Sequence, residues 1–207
     1  MKESNFDKDL SKEILLGEYL DGIYPQIFDG FTIERVFDSE QQHKGVDLII
    51  SKDNKEYYID EKAQLDYLEI ELPTFAFEIT YIKDGEQKQG WVFDKGKITN
   101  MYFCITAICC NLENVPESGF KSCKIISVNR EKLVNLLKSR GLDYNRIINI
   151  NQEIRSKNVD GRIPIDELNN FTEGNFNFSK SGKAEQPINI VLKIDFLINN
   201  KVAKKIY

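Results

Sequence analysis

Four polar side chains stand out because of where they sit: Asp47, Asp60, Lys62 and Gln64. The first opens the apolar run Val46-Asp47-Leu48-Ile49-Ile50, and the others belong to Tyr57-Tyr58-Ile59-Asp60-Glu61-Lys62-Ala63-Gln64. In an extended chain the side chains alternate, so Asp60, Lys62 and Gln64 share one face. Charges in an otherwise apolar strand are costly to bury without partners. Asp53-Asn54 supplies a turn between the two runs. A hairpin there folds Asp47 back towards Asp60, thirteen residues on. Two carboxylates beside a lysine suit a hard divalent cation such as Mg²⁺, with Mn²⁺ as a substitute. Such an ion can bind a phosphate oxygen and acidify a water, while the lysine orients that water or offsets developing charge. The chemistry that fits is phosphodiester hydrolysis. It needs no histidine, and the chain has one, His43, which excludes mechanisms built on paired histidines.

The elements that must position these residues follow from hydrophobic periodicity. Leu10, Ile14, Leu16, Leu20 and Tyr24 form one apolar arc, predicting a helix over 6–24 that stops at Pro25. Strands are expected at 31–37, 46–51 and 56–64, the last two as a hairpin. Further strands are expected at 75–82, 91–93, 98–108 and 124–128. A helix over 129–140 follows, with Asn129 as N-cap and Gly141 as stop. The Asn-, Ser-, Gly- and Lys-rich stretch 169–186 reads as loop. Beyond it Ile188, Ile190, Leu192, Ile194, Phe196 and Ile198 alternate without a break and predict one long strand. The pattern is α+β, an initial helix packed on a mixed sheet.

Asp47, followed by Asp60-Glu61-Lys62, resembles the signature of the PD-(D/E)XK nuclease superfamily, with Val46 where the motif has proline. The resemblance covers roughly residues 6–140. It implies an α/β, restriction endonuclease-like α-β-β-β-α-β core with a mixed sheet and extra strands. It implies the organisation 1–140 as nuclease-like core and 141–207 as an extension carrying a final strand. By the same resemblance Asp47, Asp60 and the backbone carbonyl of Glu61 would hold Mg²⁺ (or Mn²⁺), Lys62 would act on the attacking water, and Gln64 would touch the scissile strand. The family often adds a helix glutamate. Glu13, inside the predicted apolar arc, is preferred over Glu18 on its flank. The implied activity is metal-dependent cleavage of DNA. The alternative is a catalytically silent member of the fold that binds nucleic acid or a protein.

Composition bounds the rest. The chain has 207 residues, 41% hydrophobic and 29% charged, with a formal charge of −5. That balance excludes a globally basic nucleic-acid binder but not a local groove. The four cysteines lack paired zinc spacing and read as buried small hydrophobes. The polar N-terminal residues and the lack of a membrane-length apolar run predict a cytoplasmic protein with no membrane partner and no small-molecule cofactor. A homodimer is compatible, since duplex cutters pair two sites. Trp91 reads as core, His43-Lys44 as a polar turn, and the three lysines of 201–205 as a solvated tail.

Overall fold

The computed structural model describes residues 6–181 and 183–207, so the polar segment before Phe6 lies outside the described residues. Two sheets organise the chain. The first is mixed, with strand order β1-β2-β3-β6-β7-β11: Thr32–Arg35, Leu48–Lys52, Lys55–Ala63, Met101–Leu112, Val115–Asn129 and Ala203–Lys205. Only β3 and β6 run parallel. The second is antiparallel, in the order β5-β4-β10-β9-β8: Glu86–Gln89, Thr74–Lys83, Ile188–Lys193, Gly174–Phe178 and Gly161–Ile163. The molecule is therefore α/β, with one mixed and one antiparallel sheet. Among the described residues no helix is long and apolar enough to cross a membrane.

Each face of the mixed sheet carries its own core. Helix α1 (Phe6–Ile27) lays Leu16, Leu20, Ile23 and Tyr24 on Leu48, Ile59, Ile105 and Ile125. On the opposite face Tyr102, Cys104, Ile126 and Val128 meet Phe77, Ile188 and Ile190 of the antiparallel sheet. Helix α3 (Arg130–Ser139) adds Leu133 and Leu137, and α4 (Tyr144–Lys157) adds Ile147, Ile150 and Ile154. Fully burying one such side chain contributes about 1.5–3 kcal/mol, so both layers have reason to stay closed. Local signals set the ends. The Asn129 side chain accepts from Lys132 N–H at 2.9 Å and Gly141 turns with φ +83°. Asp143 caps α4 by accepting from Arg146 N–H at 2.8 Å.

Several expectations need correction. Helix α1 runs past Pro25 to Ile27, because a proline in the last turn gives up one donor that the helix can spare, and Phe28 N–H still bonds Tyr24 O at 2.9 Å. Leu10 and Ile14 are exposed, so the buried stripe begins only at Leu16. Residues 91–93 are a turn. Within 169–186 lies strand β9, and the run 188–198 breaks after Lys193 into helix α5 (Ile194–Asn199). Helices α2 (Ser39–His43) and α4 were not anticipated. The lysine-rich segment enters β11, which pairs with β7.

Candidate functional site

Strand β3 outruns its neighbour β2. The paired register ends at Leu48↔Ile59, and the last backbone bond between them is Asp47 N–H to Ile59 O, 2.8 Å. Before Asp47 the chain turns away at Gly45 (φ +78°), where a Cβ would stand 2.5 Å from Thr99 Oγ1. The gap exposes the next outward-facing donor of β3, Glu61 N–H, and the Asp47 carboxylate fills it, accepting at 2.8 Å. Backbone groups two residues apart on a strand point the same way. Ile59 O faces β2, so Glu61 O faces the same gap as Asp47.

The two faces of β3 then divide the charges. On one face Lys62 Nζ lies 2.5 Å from Asp60 Oδ1, and Asp60 is only 2% exposed. Burial pushes the Asp60 carboxyl up to about 6; Lys62 pulls it down and the neighbouring Asp47 carboxylate pushes it up again. Burial alone would lower the Lys62 ammonium, but Asp60, Asp47 and Glu78 outweigh it and hold it above the usual lysine range. Its Nζ also sits 5.6 Å from the Trp91 ring centroid, a cation–π contact. On the other face the Glu61 carboxylate accepts from Tyr24 OH and from Arg35, which also grips Asp21. Burial raises the Glu61 carboxyl, while Arg35 and Tyr24 counter it. With its carboxylate engaged there, Glu61 has its backbone carbonyl left to offer at the gap.

Beside this gap lies a cleft of about 760 Å³ between the two sheets. Glu13, Asp47, Glu61, Lys62 and Gln64 line it, so the structure gathers five of the six sequence-predicted residues at one opening. Asp60, the sixth, sits beneath Lys62, its carboxylate bridged to the ammonium. Glu13 reaches the cleft as an exposed residue, not from inside a buried arc as expected, because Leu10 and Ile14, the apolar residues on either side of it, are exposed. Glu18 is exposed and is not among the lining residues. His43 is exposed in the last turn of α2 with Nδ1 at 2.6 Å from Ser39 O, and Lys44 pairs with Glu40 at 2.7 Å.

No family model matches the chain, and neither does any curated protein or solved structure. The site must therefore be judged on its own donors. Among the described residues no group of three or more His, Cys, Asp and Glu side chains is arranged to hold a metal ion. Two carboxylates and a backbone carbonyl nevertheless match what Mg²⁺ takes from protein, since it fills its remaining positions with water and substrate phosphate. The donor chemistry fits the ion, on the condition that Asp60 ionises and shares its carboxylate with Lys62.

Sequence reasoning missed the far wall of the cleft. Arg162, Asn175, Asn177 and Asn189 come from β8, β9 and β10. The alternation Asn175-Phe176-Asn177-Phe178 was the available signal, and the polar composition around it concealed the strand. The Tyr24–Glu61–Arg35 group was also missed, since it joins residues distant in the chain.

Proposed function

We propose that this protein is a metal-dependent nuclease that hydrolyses phosphodiester bonds, with DNA as substrate. The observation that carries the reading is the convergence of Asp47, Asp60 and the Lys62 ammonium where β2 and β3 part. The order α1, three antiparallel strands, then the parallel strand β6 supports a restriction endonuclease-like core. One departure stands beside it: the crossover from β3 to β6 runs through a single 3₁₀ turn (Leu65–Tyr67) and the β4–β5 hairpin, where that core has a helix. Asp47, Asp60 and Glu61 O would hold Mg²⁺ or Mn²⁺, which when bound supplies positive charge to the phosphate and acidifies a water. The protein's own groups do the rest. Lys62, charged at neutral pH, hydrogen-bonds the attacking water and offsets charge on the phosphate oxygens. Asp47 serves both as ligand and as the acceptor that keeps Glu61 in place. Gln64 meets the scissile strand, and Glu13 adds a carboxylate at the rim.

The test is cleavage of plasmid, linear duplex and branched DNA with Mg²⁺, Mn²⁺ or EDTA. Asp47→Asn keeps an acceptor for Glu61 N–H, so it separates ligand charge from folding. Cleavage should require metal and fall about 10²–10³-fold or more in Asp47→Asn and in Lys62→Gln. Variants that cut like the parent would remove the assignment. A second reading, a silent binding domain, draws on one observation: the Asp60–Lys62 bridge already neutralises both charges without a metal. It predicts no cleavage, and no rise in melting temperature with Mg²⁺ that Asp60→Asn would abolish.

A further inference from the structure

The cleft contains a hydrogen-bonding vacancy of definite sign. Gln64 Nε2 donates to Thr74 O at 3.0 Å. A carbonyl can only accept, so this contact fixes which end of the amide is which. The other end, Gln64 Oε1, is buried and has no hydrogen-bond partner. Leaving a buried acceptor unpaired costs about 1–3 kcal/mol, so this oxygen is held ready for a donor, and a ligand in the cleft can supply one. A DNA phosphodiester backbone has only acceptors. The donors on DNA are on the bases: the exocyclic amines of adenine, cytosine and guanine and, in an unpaired strand, the ring N–H groups of guanine and thymine.

The opposite wall is built to match. Arg162, Asn177 and Asn189 lie side by side across β8, β9 and β10, in the registers Arg162↔Asn177 and Asn189↔Asn177. On the next row Asn175 lines the cleft although only 4% exposed. A carboxamide carries a donor and an acceptor side by side, the pattern that pairs with the amine and ring nitrogen of adenine. Neighbouring strands are about 4.8 Å apart. Stacked bases rise about 3.4 Å per residue, so a row at strand spacing suits bases that have come out of the stack. Charge argues the same way. Among the described residues the lining cations besides Lys62 are Arg162 and Lys183, and Lys183 is bridged to Asp66 at 3.1 Å. These residues by themselves offer phosphate little attraction, which leaves base contacts more of the binding.

We infer that the cleft takes an unpaired, unstacked DNA strand and reads hydrogen-bond donors on the base edges, with Gln64 Oε1 as acceptor and Asn175, Asn177 and Asn189 as the amide wall. This rests on the reading of the cleft as a nucleic-acid site but not on catalysis. The test is equilibrium binding in EDTA of fluorescent 12-mers: dA, dC, dT, a 2′-deoxynebularine 12-mer (adenine without its 6-amino group), and the dA·dT duplex. The single strands dA, dC and dT, each with a donor on its open edge, should bind about tenfold tighter than deoxynebularine, consistent with one or two base hydrogen bonds. The duplex should bind more weakly than dA. Asn189→Ala and Gln64→Leu should reduce the preference for dA over deoxynebularine. The deoxynebularine probe deletes the donor without altering the protein, so a variant that fails to fold leaves the test intact. Equal affinity for dA and deoxynebularine overturns the inference, as does tighter duplex binding or no binding to any strand. Metal-dependent cleavage with no amine preference would sink the inference and leave the nuclease reading standing. An amine preference without cleavage would do the reverse.

Discussion

Asp60 is a residue whose protonation the fold controls. In an unfolded chain an aspartate titrates near 4, whereas burial moves Asp60 to about 6. Between those values the folded protein holds a proton that the unfolded chain has released. Asp60 therefore favours folding most below about pH 4, and that advantage is lost as pH rises through about 6. The slope is at most about 1.4 kcal/mol per pH unit. Urea unfolding from pH 4 to 7 should show the parent losing stability relative to Asp60→Asn as pH rises, with the difference levelling above about 6. A difference that stays flat across that range would contradict the burial of an ionisable carboxyl there. Catalysis follows the opposite limb, because the carboxylate has to ionise before it can hold a cation.

At the scale of the element, the site depends on how β2 begins. Gly45 has φ +78° and faces Thr99 Oγ1 and Lys97 Cδ at 2.5 and 3.0 Å from where a Cβ would be. Gly45→Ala should therefore cost about 1–3 kcal/mol and disturb the Asp47–Glu61 contact. Gly17→Ala on α1, where nothing lies within 4 Å, should instead stabilise by about 0.5–1 kcal/mol. Denaturant midpoints of the two variants moving in the same direction would refute this contrast. The β2–β3 hairpin was legible in the sequence because the alternation was flanked by Asp53-Asn54, both of which adopt positive φ. Helix α3 was legible from its cap and its stop. The run through Ile198 misled because Ile194, Phe196 and Ile198 keep a period of two while the buried pair of α5 is Phe196 and Leu197. Helix α4 hid behind asparagine and β-branched residues of low helix propensity, with Asp143 as its unread cap. For the site, Asp47, Asp60 and Lys62 share one hairpin, so local spacing was enough to find them. Arg35, Tyr24 and the asparagine wall come from other elements, and no local pattern reports such pairings.

For the whole molecule, the two sheets are interleaved along the chain. Residues 32–63 and 101–129 build most of the mixed sheet, while 74–89 and 161–193 build the antiparallel one. Strand β10 is the centre of the latter, flanked by β4 and β9. A chain truncated after Asn158 should lose its cooperative thermal transition and bind a hydrophobic dye, because β4 would lose its central partner β10 and Phe75, Phe77 and Ile79 would lose Ile188, Ile190 and Leu192 from their core. A truncated chain that melts sharply near the parent temperature would show the mixed sheet to be self-sufficient. The same interleaving has a consequence for synthesis. More than 100 residues separate the end of β4 from the start of β10. At about 5–20 residues per second, the nascent β4 waits about 5–20 s for its central partner to be made. During that interval Phe77 lacks the Ile188 and Ile190 neighbours it has in the finished fold, so the edge of β4 is open to misassembly on the ribosome, before the finished cleft exists.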